Sequence, residues 1–322
     1  MRAIVVTRNG GPEVLELRDE PDPQPGPGQL LVDAEAIGVN FRDIYEREGQ
    51  GSYAAATPMV AGAEGAGKVA AVGEGVHEFS VGDRVAWSAA PGSYAERVVV
   101  DEAKAVPVPD GVSTEVAAAA LLQGMTAHYL AIDTYAVQPQ DPVLVHAAAG
   151  GVGLLLTQIV RLRGGRVIAT CSTPEKADRA RGAGADHVLG YERFADEARE
   201  LSGGAGVAVV YDGIGQATFD QSLAALRPRG FMVLYGAASG PVSPVDPQRL
   251  HAGGSLFLTR PGLPHYTATR HELLHRAAEV FGWIADGRLD VHIGARYALE
   301  DARRAQEDLA ARRTTGKVIL TV

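Results

Sequence analysis

Residues 143–160 read VLVHAAAGGVGLLLTQIV: a short apolar run, a run of small residues and a second apolar run. The first run is typical of a buried strand, and the second has the spacing of a helix. Between them, Ala148, Gly150 and Gly153 stand at the spacing G/A-x-G-x-x-G. Small residues at this spacing let the backbone approach a pyrophosphate beside a helix N-terminus. The stretch therefore predicts a strand–loop–helix unit that binds a dinucleotide.

The chain that follows this unit alternates strands with helices. After the helix 151–163 come the strand RVIAT, a helix from Pro174, and the strands HVLGY, VAVVYD and FMVLYG. This alternation is typical of a parallel sheet that helices cover on both faces. We predict a doubly wound α/β nucleotide-binding domain over residues 126–264.

The first part of the chain has a different pattern. Residues 1–125 are rich in glycine, proline and short β-like runs, which turn signals such as NGGP separate. This pattern predicts an irregular, mostly β domain. The final run, KVILTV, reads as a strand with no new domain around it, so we expect residues 265–322 to complete the first domain.

Charge and apolar patterning exclude several classes of partner. The formal net charge of −9 and the lack of a basic run argue against nucleic acid and against anionic membranes. The start of the chain has no apolar signal region, and no run of 18 uncharged apolar residues occurs, so we expect a cytoplasmic protein. The lone cysteine, Cys171, excludes an intrachain disulfide and a cysteine-rich zinc site.

The residues after RVIAT indicate which coenzyme is preferred. Sites selective for NAD place Asp or Glu at the end of this strand, whereas this strand ends at Thr170 and no carboxylate stands there. Ser172, Thr173 and Lys176 offer hydroxyls and a cation that suit a 2′-phosphate, and Tyr191 ends the next strand. NADPH is therefore predicted. The alternative is that the hydroxyls only cap a helix and that Lys176 is solvated.

Two polar stretches of the first domain are candidates for the chemistry. GVNFRDIY, residues 38–45, offers the amide of Asn40 and the hydroxyl of Tyr45, and GSY offers Tyr53. These groups can polarise a carbonyl or deliver a proton. From spacing alone, loop hydrogen bonding for Asn40 and packing for the two tyrosines are favoured over a catalytic role.

At this point the residues resemble a known family. The matching segments are GVNFRDIY, GAEGAG, VGDRVAW, QGMTAHYL, VLVHAAAGGVG, STPEKADRARGAGADHVLGY, VVYDGIG, GAASG and TRPGLPHYTATRHEL. With them the chain resembles the zinc-free medium-chain dehydrogenase/reductases, and within these the NADPH:quinone oxidoreductases related to zeta-crystallin. The resemblance implies a GroES-like β-rich catalytic domain, made from both chain ends, around a Rossmann domain.

The resemblance also implies whether a metal binds and which residues contact the cofactor and the acceptor. Zinc members carry cysteine where Asn40 stands and a His–Glu pair where Ala63 and Glu64 stand, so we expect no metal. Lys176, Ser172, Tyr191 and Arg312 are expected at the 2′-phosphate; Asn40, Tyr45 and Tyr53 are expected at the nicotinamide and acceptor. The motif and the resemblance together imply cofactor contacts at Phe41, Asp43, Tyr45, Thr126, Tyr129, Gly150, Gly151, Val152, Gly153, Ser172, Thr173, Lys176, Tyr191, Ile214, Ser239, Gly240 and Arg312.

The expected function is the reduction of quinones by NADPH without zinc. Two alternatives stay open: an NADPH-dependent enone or enoyl reductase, and a protein that binds NADPH without catalysis. Family members usually dimerise by pairing edge strands of their Rossmann sheets. GSLFLTR, residues 254–260, is the expected edge because it is apolar and poor in the charges that protect edge strands.

Overall fold

The computed structural model describes the backbone of residues 1–322 and every side chain except that of Ser52. The strands are β1 (Arg2–Val6), β2 (Leu15–Asp19), β3 (Gln29–Val39), β4 (Met59–Val60), β5 (Glu64–Val72), β6 (Arg84–Trp87), β7 (Arg97–Asp101), β8 (Val106–Pro107), β9 (Pro142–Val145), β10 (Arg166–Thr170), β11 (His187–Leu189), β12 (Val207–Asp212), β13 (Leu226–Leu234), β14 (Phe257–Thr259), β15 (Ile293–Ala298) and β16 (Lys317–Thr321). The helices are α1 (Phe41–Glu48), α2 (Thr114–Tyr129), α3 (Gly151–Leu162), α4 (Pro174–Gly182), α5 (Phe194–Leu201), α6 (Phe219–Ala225), α7 (Pro247–Ala252), α8 (Leu263–Tyr266), α9 (Arg270–Ala285) and α10 (Ala302–Ala310).

The chain divides into two compact units. Unit 1 contains Met1–Gln123 and Thr267–Val322, and unit 2 contains Gly124–Tyr266. In the part of the chain that the structure describes, no helix is both long and apolar enough to cross a membrane.

Unit 2 is built on one parallel sheet. Its six strands follow the order β11-β10-β9-β12-β13-β14, and every neighbouring pair is parallel. The apolar side chains of β9, Val143, Leu144 and Val145, are fully buried, as expected for a central strand that is covered on both faces. The predicted doubly wound α/β fold is confirmed.

Unit 1 is mostly β. Six strands of its larger sheet follow the order β15-β16-β3-β5-β6-β8, and β7 also pairs with β3. A smaller sheet has the order β2-β1-β4. The last strand, β16, is antiparallel to β3, so residues near the C-terminus join the larger sheet of unit 1.

Three helices begin at side-chain caps. Ser113 Oγ accepts a hydrogen bond from Val116 N at the start of α2. Thr173 Oγ1 accepts from Lys176 N at the start of α4, where proline occupies the first turn. Thr269 and Glu272 form a capping box at the start of α9. Each cap satisfies N–H groups that have no partner inside the helix.

Candidate cofactor and active site

The glycine loop joins β9 to α3 through closely packed backbone. Ala147 adopts a left-handed conformation with φ of 49°. A Cβ at Gly153 would lie 2.4 Å from the carbonyl oxygen of Ala147, so only glycine fits this contact. Gly150 is the N-cap of α3, and among the described side chains none caps this helix. The first N–H groups of α3 are thus placed to bind an anion.

The strand order puts this loop at the switch point of the sheet. β9 lies between β10 and β12, and the chain proceeds outward from β9 in both directions. In sheets of this kind, ligands bind outside the carboxyl ends of the strands at the switch point. The loop that follows β9 therefore lies where a dinucleotide is expected.

The loops after β12 and β13 meet at the same edge. The Asp212 carboxylate accepts hydrogen bonds from Ile214 N at 2.8 Å and Gly215 N at 3.0 Å. The Ser239 hydroxyl donates to the carbonyl of Ile214 at 2.8 Å. Gly240 follows with φ of 109°, a conformation that favours glycine. The structure thus brings three of the predicted cofactor contacts together: Ile214, Ser239 and Gly240.

A buried histidine lies beneath this edge. His146 Nδ1 is 2.8 Å from Thr170 Oγ1, and His146 Nε2 is 2.9 Å from Ser222 Oγ. Because Ser222 Oγ donates to Asp212, it accepts from Nε2–H, and Nδ1 accepts from Thr170. Burial lowers the pKa of His146 to about 4. The imidazole is therefore neutral. Its two hydrogen bonds link the end of β9 to the end of β10 and to helix α6.

The predicted 2′-phosphate corner lies at the start of α4. Ser172 and Thr173 precede the helix, and Lys176 lies in its first turn. The Tyr191 hydroxyl accepts from Ala147 N at 3.2 Å and donates to the carbonyl of Thr170 at 3.3 Å. Tyr191 therefore links the glycine loop to the end of β10.

The other predicted cofactor contacts lie elsewhere in the two units. Tyr129 is buried in unit 2, and its ring stacks on Tyr266 with centroids 4.2 Å apart. Thr126 lies one turn earlier in α2 and is also buried. Arg312 is exposed and belongs to unit 1, where it follows α10 in a left-handed conformation with φ of 57°.

In unit 1, the start of α1 is fixed by a buried carboxylate. Asp43 Oδ2 accepts from the backbone N–H of Asn40 at 2.8 Å and from the Tyr94 hydroxyl at 2.9 Å. Only 2% of Asp43 is exposed, so its carboxylate points into unit 1. A cofactor contact for Asp43 stays a prediction.

Asp43 gives the chain a testable pH dependence. Burial raises the pKa of Asp43 from 3.8 to about 6. The stability that the protonated group contributes is fully present below its unfolded pKa and is lost as the pH rises through about 6. We expect the unfolding free energy of the wild type, minus that of Asp43→Asn, to fall by about 3 kcal/mol between pH 3.5 and 7.

Denaturant unfolding at several pH values measures this difference. The comparison with a variant is needed because the lowered pKa of His146 acts in the opposite direction, and it cancels in the difference. Parallel pH profiles for the two proteins would show that the Asp43 carboxyl is not perturbed.

Three aromatic rings follow one another along α1 and the next turn. The rings of Phe41 and Tyr45, one helical turn apart, have centroids 6.3 Å apart, and those of Tyr45 and Tyr53 are 5.4 Å apart. Tyr53 is 37% exposed. The structure therefore brings together the two tyrosines that the sequence predicts for the acceptor.

Asn40 lies in a buried cluster that the sequence analysis did not find. Asn40 Nδ2 donates to Glu64 Oε2 at 2.8 Å, and Lys317 Nζ donates to Asn40 Oδ1 at 2.9 Å and to Glu64 Oε2 at 2.6 Å. Leu122 N donates to the other oxygen of Glu64 at 2.7 Å. The one signal in the sequence is a lysine that begins an apolar strand.

These residues do not fit a zinc ion. A lysine ammonium contacts Glu64, and among the described residues no group of three histidine, cysteine or acidic side chains could hold a metal. The sequence contains one HxxxH pair, His271 and His275 of HELLH. It lies on the exposed face of α9 with ring centroids 6.2 Å apart.

Comparisons with known proteins agree with this description. Residues 26–110 match the family model of the alcohol dehydrogenase GroES-like domain, and residues 151–261 match that of zinc-binding dehydrogenases. A quinone oxidoreductase of Pseudomonas aeruginosa is 46% identical over 97% of this chain and 96% of its own. A 2-haloacrylate reductase of a Burkholderia species is 39% identical over 99% of this chain and 98% of its own.

Solved structures are similar to this chain over the whole fold. A mycobacterial protein complexed with NADPH is 54% identical, superposes with a TM-score of 0.97, and matches 100% of both chains. The predicted resemblance, with its GroES-like and Rossmann domains, is confirmed. The chain therefore belongs to the zinc-free quinone oxidoreductases of the medium-chain dehydrogenase/reductase family.

Proposed function

We propose that this chain catalyses the reduction of quinones by NADPH. The observation that carries the proposal is the glycine loop at the switch point of a sheet whose next strand, β10, has no carboxylate at its end. The quinone oxidoreductase names of relatives at 40–46% identity support the acceptor, and the NADPH complex of the mycobacterial protein supports the coenzyme.

The coenzyme fits the residues that the structure places at this edge. When bound, NADPH supplies a hydride from its nicotinamide. The N–H groups of Gly151 and Val152 would hold the pyrophosphate at the start of α3. Lys176, Ser172 and Tyr191 would hold the 2′-phosphate through charge-assisted and hydroxyl hydrogen bonds.

The acceptor is proposed to contact the aromatic face of unit 1. Tyr45 and Tyr53 offer flat rings and hydroxyls, which suit a flat carbonyl compound. Asn40 Nδ2 has a second hydrogen, whose bond to the carbonyl of Gly38 is long, at 3.4 Å. An acceptor oxygen could displace this bond, so Asn40 can stabilise charge that develops on that oxygen.

Tyr45→Phe tests the acceptor assignment. We expect kcat with a quinone to fall about tenfold because one hydrogen bond to developing charge is lost, while the Kd of NADPH changes less than twofold. Stopped-flow turnover and NADPH titration measure the two quantities. Tyr297→Phe is the matched control, since it removes a hydroxyl that donates to Asp308 in the same unit. Equal effects of the two variants would contradict the assignment.

A second candidate is an NADPH-dependent enone or enoyl reductase. One relative, which is named a 2-haloacrylate reductase, favours this candidate. An acceptor panel separates the candidates: NADPH oxidation is followed with quinones, with enones and with enoyl thioesters. Faster turnover of quinones is expected. Turnover of enones alone would discard the proposal, and intact NADPH binding without any turnover would indicate a non-catalytic binding protein.

We also propose that the protein is a cytoplasmic homodimer through β14. Phe257 is 51% exposed and stacks on Phe231 with centroids 4.5 Å apart. β14 ends the sheet, and an exposed aromatic edge strand favours pairing with a second copy. Light scattering is expected to give twice the chain mass of 33.7 kDa.

A further inference from the structure

Three polar side chains are buried together at one end of the larger sheet of unit 1. The strands β16, β3 and β5 are neighbours, and Gly38 of β3 pairs with Glu64 of β5. β16 is antiparallel to β3 and begins at Lys317. Asn40, just beyond the end of β3, therefore lies beside both charged residues. Of these three side chains none is more than 4% exposed.

The two charges fix the direction of the Asn40 amide. Lys317 Nζ can only donate, and it bonds Asn40 Oδ1, whereas Glu64 Oε2 accepts from Asn40 Nδ2. An amide rotated by 180° would set a donor against the ammonium and an acceptor against the carboxylate. The ion pair therefore permits only one of the two orientations of the Asn40 amide. In this orientation the second hydrogen of Nδ2 faces the carbonyl oxygen of Gly38, at the long distance of 3.4 Å.

The oxygens of Glu64 and Asn40 in this cluster already have protein partners. A Cβ at Gly38 would lie 2.3 Å from Glu64 Oε2. Glu64 Oε1 already accepts from Leu122 N, and Gln123 Nε2 donates to Asn40 Oδ1 at 3.2 Å. The positive charge in the cluster is the Lys317 ammonium, whose Nζ lies 2.6 Å from Glu64 Oε2.

We propose that Lys317 is a positioning residue: with Glu64 it holds the Asn40 amide in the orientation that presents one N–H to the acceptor. The proposal rests on the proposed function, since it assigns a task to the same acceptor site. Lys317 itself is buried and acts through Asn40.

The double variant Lys317→Met/Glu64→Gln tests the proposal. Replacing both members leaves no unpaired buried charge, so the fold is expected to survive. The carboxamide introduced by Glu64→Gln can still accept from Leu122 N, and its nitrogen would then face Asn40 and favour the rotated amide. We expect kcat to fall at least tenfold, with the Kd of NADPH unchanged within twofold and the melting temperature near that of the wild type.

The exposed pair Lys68 and Glu35 of the same sheet provides the matched control. Lys68→Met/Glu35→Gln makes the same chemical change at a solvated ion pair and is expected to leave kcat unchanged. The assay uses whichever acceptor class the wild type reduces fastest, so a wrong acceptor class does not decide this test. A folded Lys317→Met/Glu64→Gln variant with wild-type kcat would overturn the proposal.

A spectroscopic measurement does not depend on turnover or on the folding of a variant. The chain has two asparagines, Asn9 and Asn40, so selective labelling gives two side-chain amides. Asn9 is exposed and serves as the internal reference. We expect the amide hydrogens of Asn40 to exchange at least 100-fold more slowly than those of Asn9. Equal exchange rates would overturn the proposal, whether or not the double variant folds.

Discussion

Replacement of Gly153 by alanine is expected to weaken NADPH binding about 100-fold. The new Cβ would lie 2.4 Å from the carbonyl oxygen of Ala147 and 2.7 Å from Ala148 Cα. Both neighbours are backbone atoms, so the loop must move by about 1 Å, and the N–H groups of Gly151 and Val152 move with it. The loss of two hydrogen bonds to a charged phosphate, at about 1.5 kcal/mol each, corresponds to about 100-fold. Overpacking also predicts a loss of about 1–3 kcal/mol in unfolding free energy.

Gly182→Ala is the matched control for this change. Gly182 ends α4 in the same unit, and no atom lies within 4 Å of its ideal Cβ position among the described residues. The helix propensity of alanine then predicts unchanged or slightly higher stability and unchanged NADPH affinity. Thermal melts and fluorescence titration of both variants test the pair. Wild-type NADPH affinity in Gly153→Ala would contradict the assignment of the glycine loop.

Lys176→Ala is expected to weaken NADPH binding by about 10- to 100-fold and to leave NADH binding unchanged. A charge-assisted hydrogen bond to a phosphate contributes about 1.5–3 kcal/mol, which corresponds to this range. NADH lacks the 2′-phosphate, so the loss of the ammonium does not affect it. Isothermal titration with both coenzymes measures the difference.

Arg179→Ala controls for the loss of one positive charge from the same helix. Arg179 lies three residues farther along α4 and is exposed, so its removal changes the net charge equally. The electrostatic effect on a phosphate at the helix start is expected to be below threefold at physiological salt, because exposed charges are screened. A similar loss of affinity in both variants would show a general charge effect rather than a contact of Lys176.

The parts of the structure that the sequence predicts are those set by local chemistry. The turn from β9 to α3 depends on small residues within a few positions of one another. The caps at Ser113, Thr173 and Thr269 likewise depend on residues three positions apart. The contact between the rings of Tyr45 and Tyr53 joins residues eight positions apart. Such features can be predicted because one turn or helix fixes their geometry.

The Lys317–Glu64 pair could not be predicted in the same way. Its members are 253 positions apart, and the registers of β16 against β3 and of β3 against β5 bring them together. These registers depend on the packing of the whole sheet. In the sequence, a lysine at the start of an apolar strand is equally typical of a solvated strand end.

The coenzyme preference during quinone reduction tests the central claim most directly. Steady-state rates of the wild-type protein are measured with one quinone and with varied NADPH or NADH. Because β10 ends without a carboxylate and Lys176 lies in the first turn of α4, kcat/KM for NADPH is expected to exceed that for NADH by at least tenfold. Equal values for the two coenzymes, or no quinone-dependent oxidation of NADPH, would contradict it.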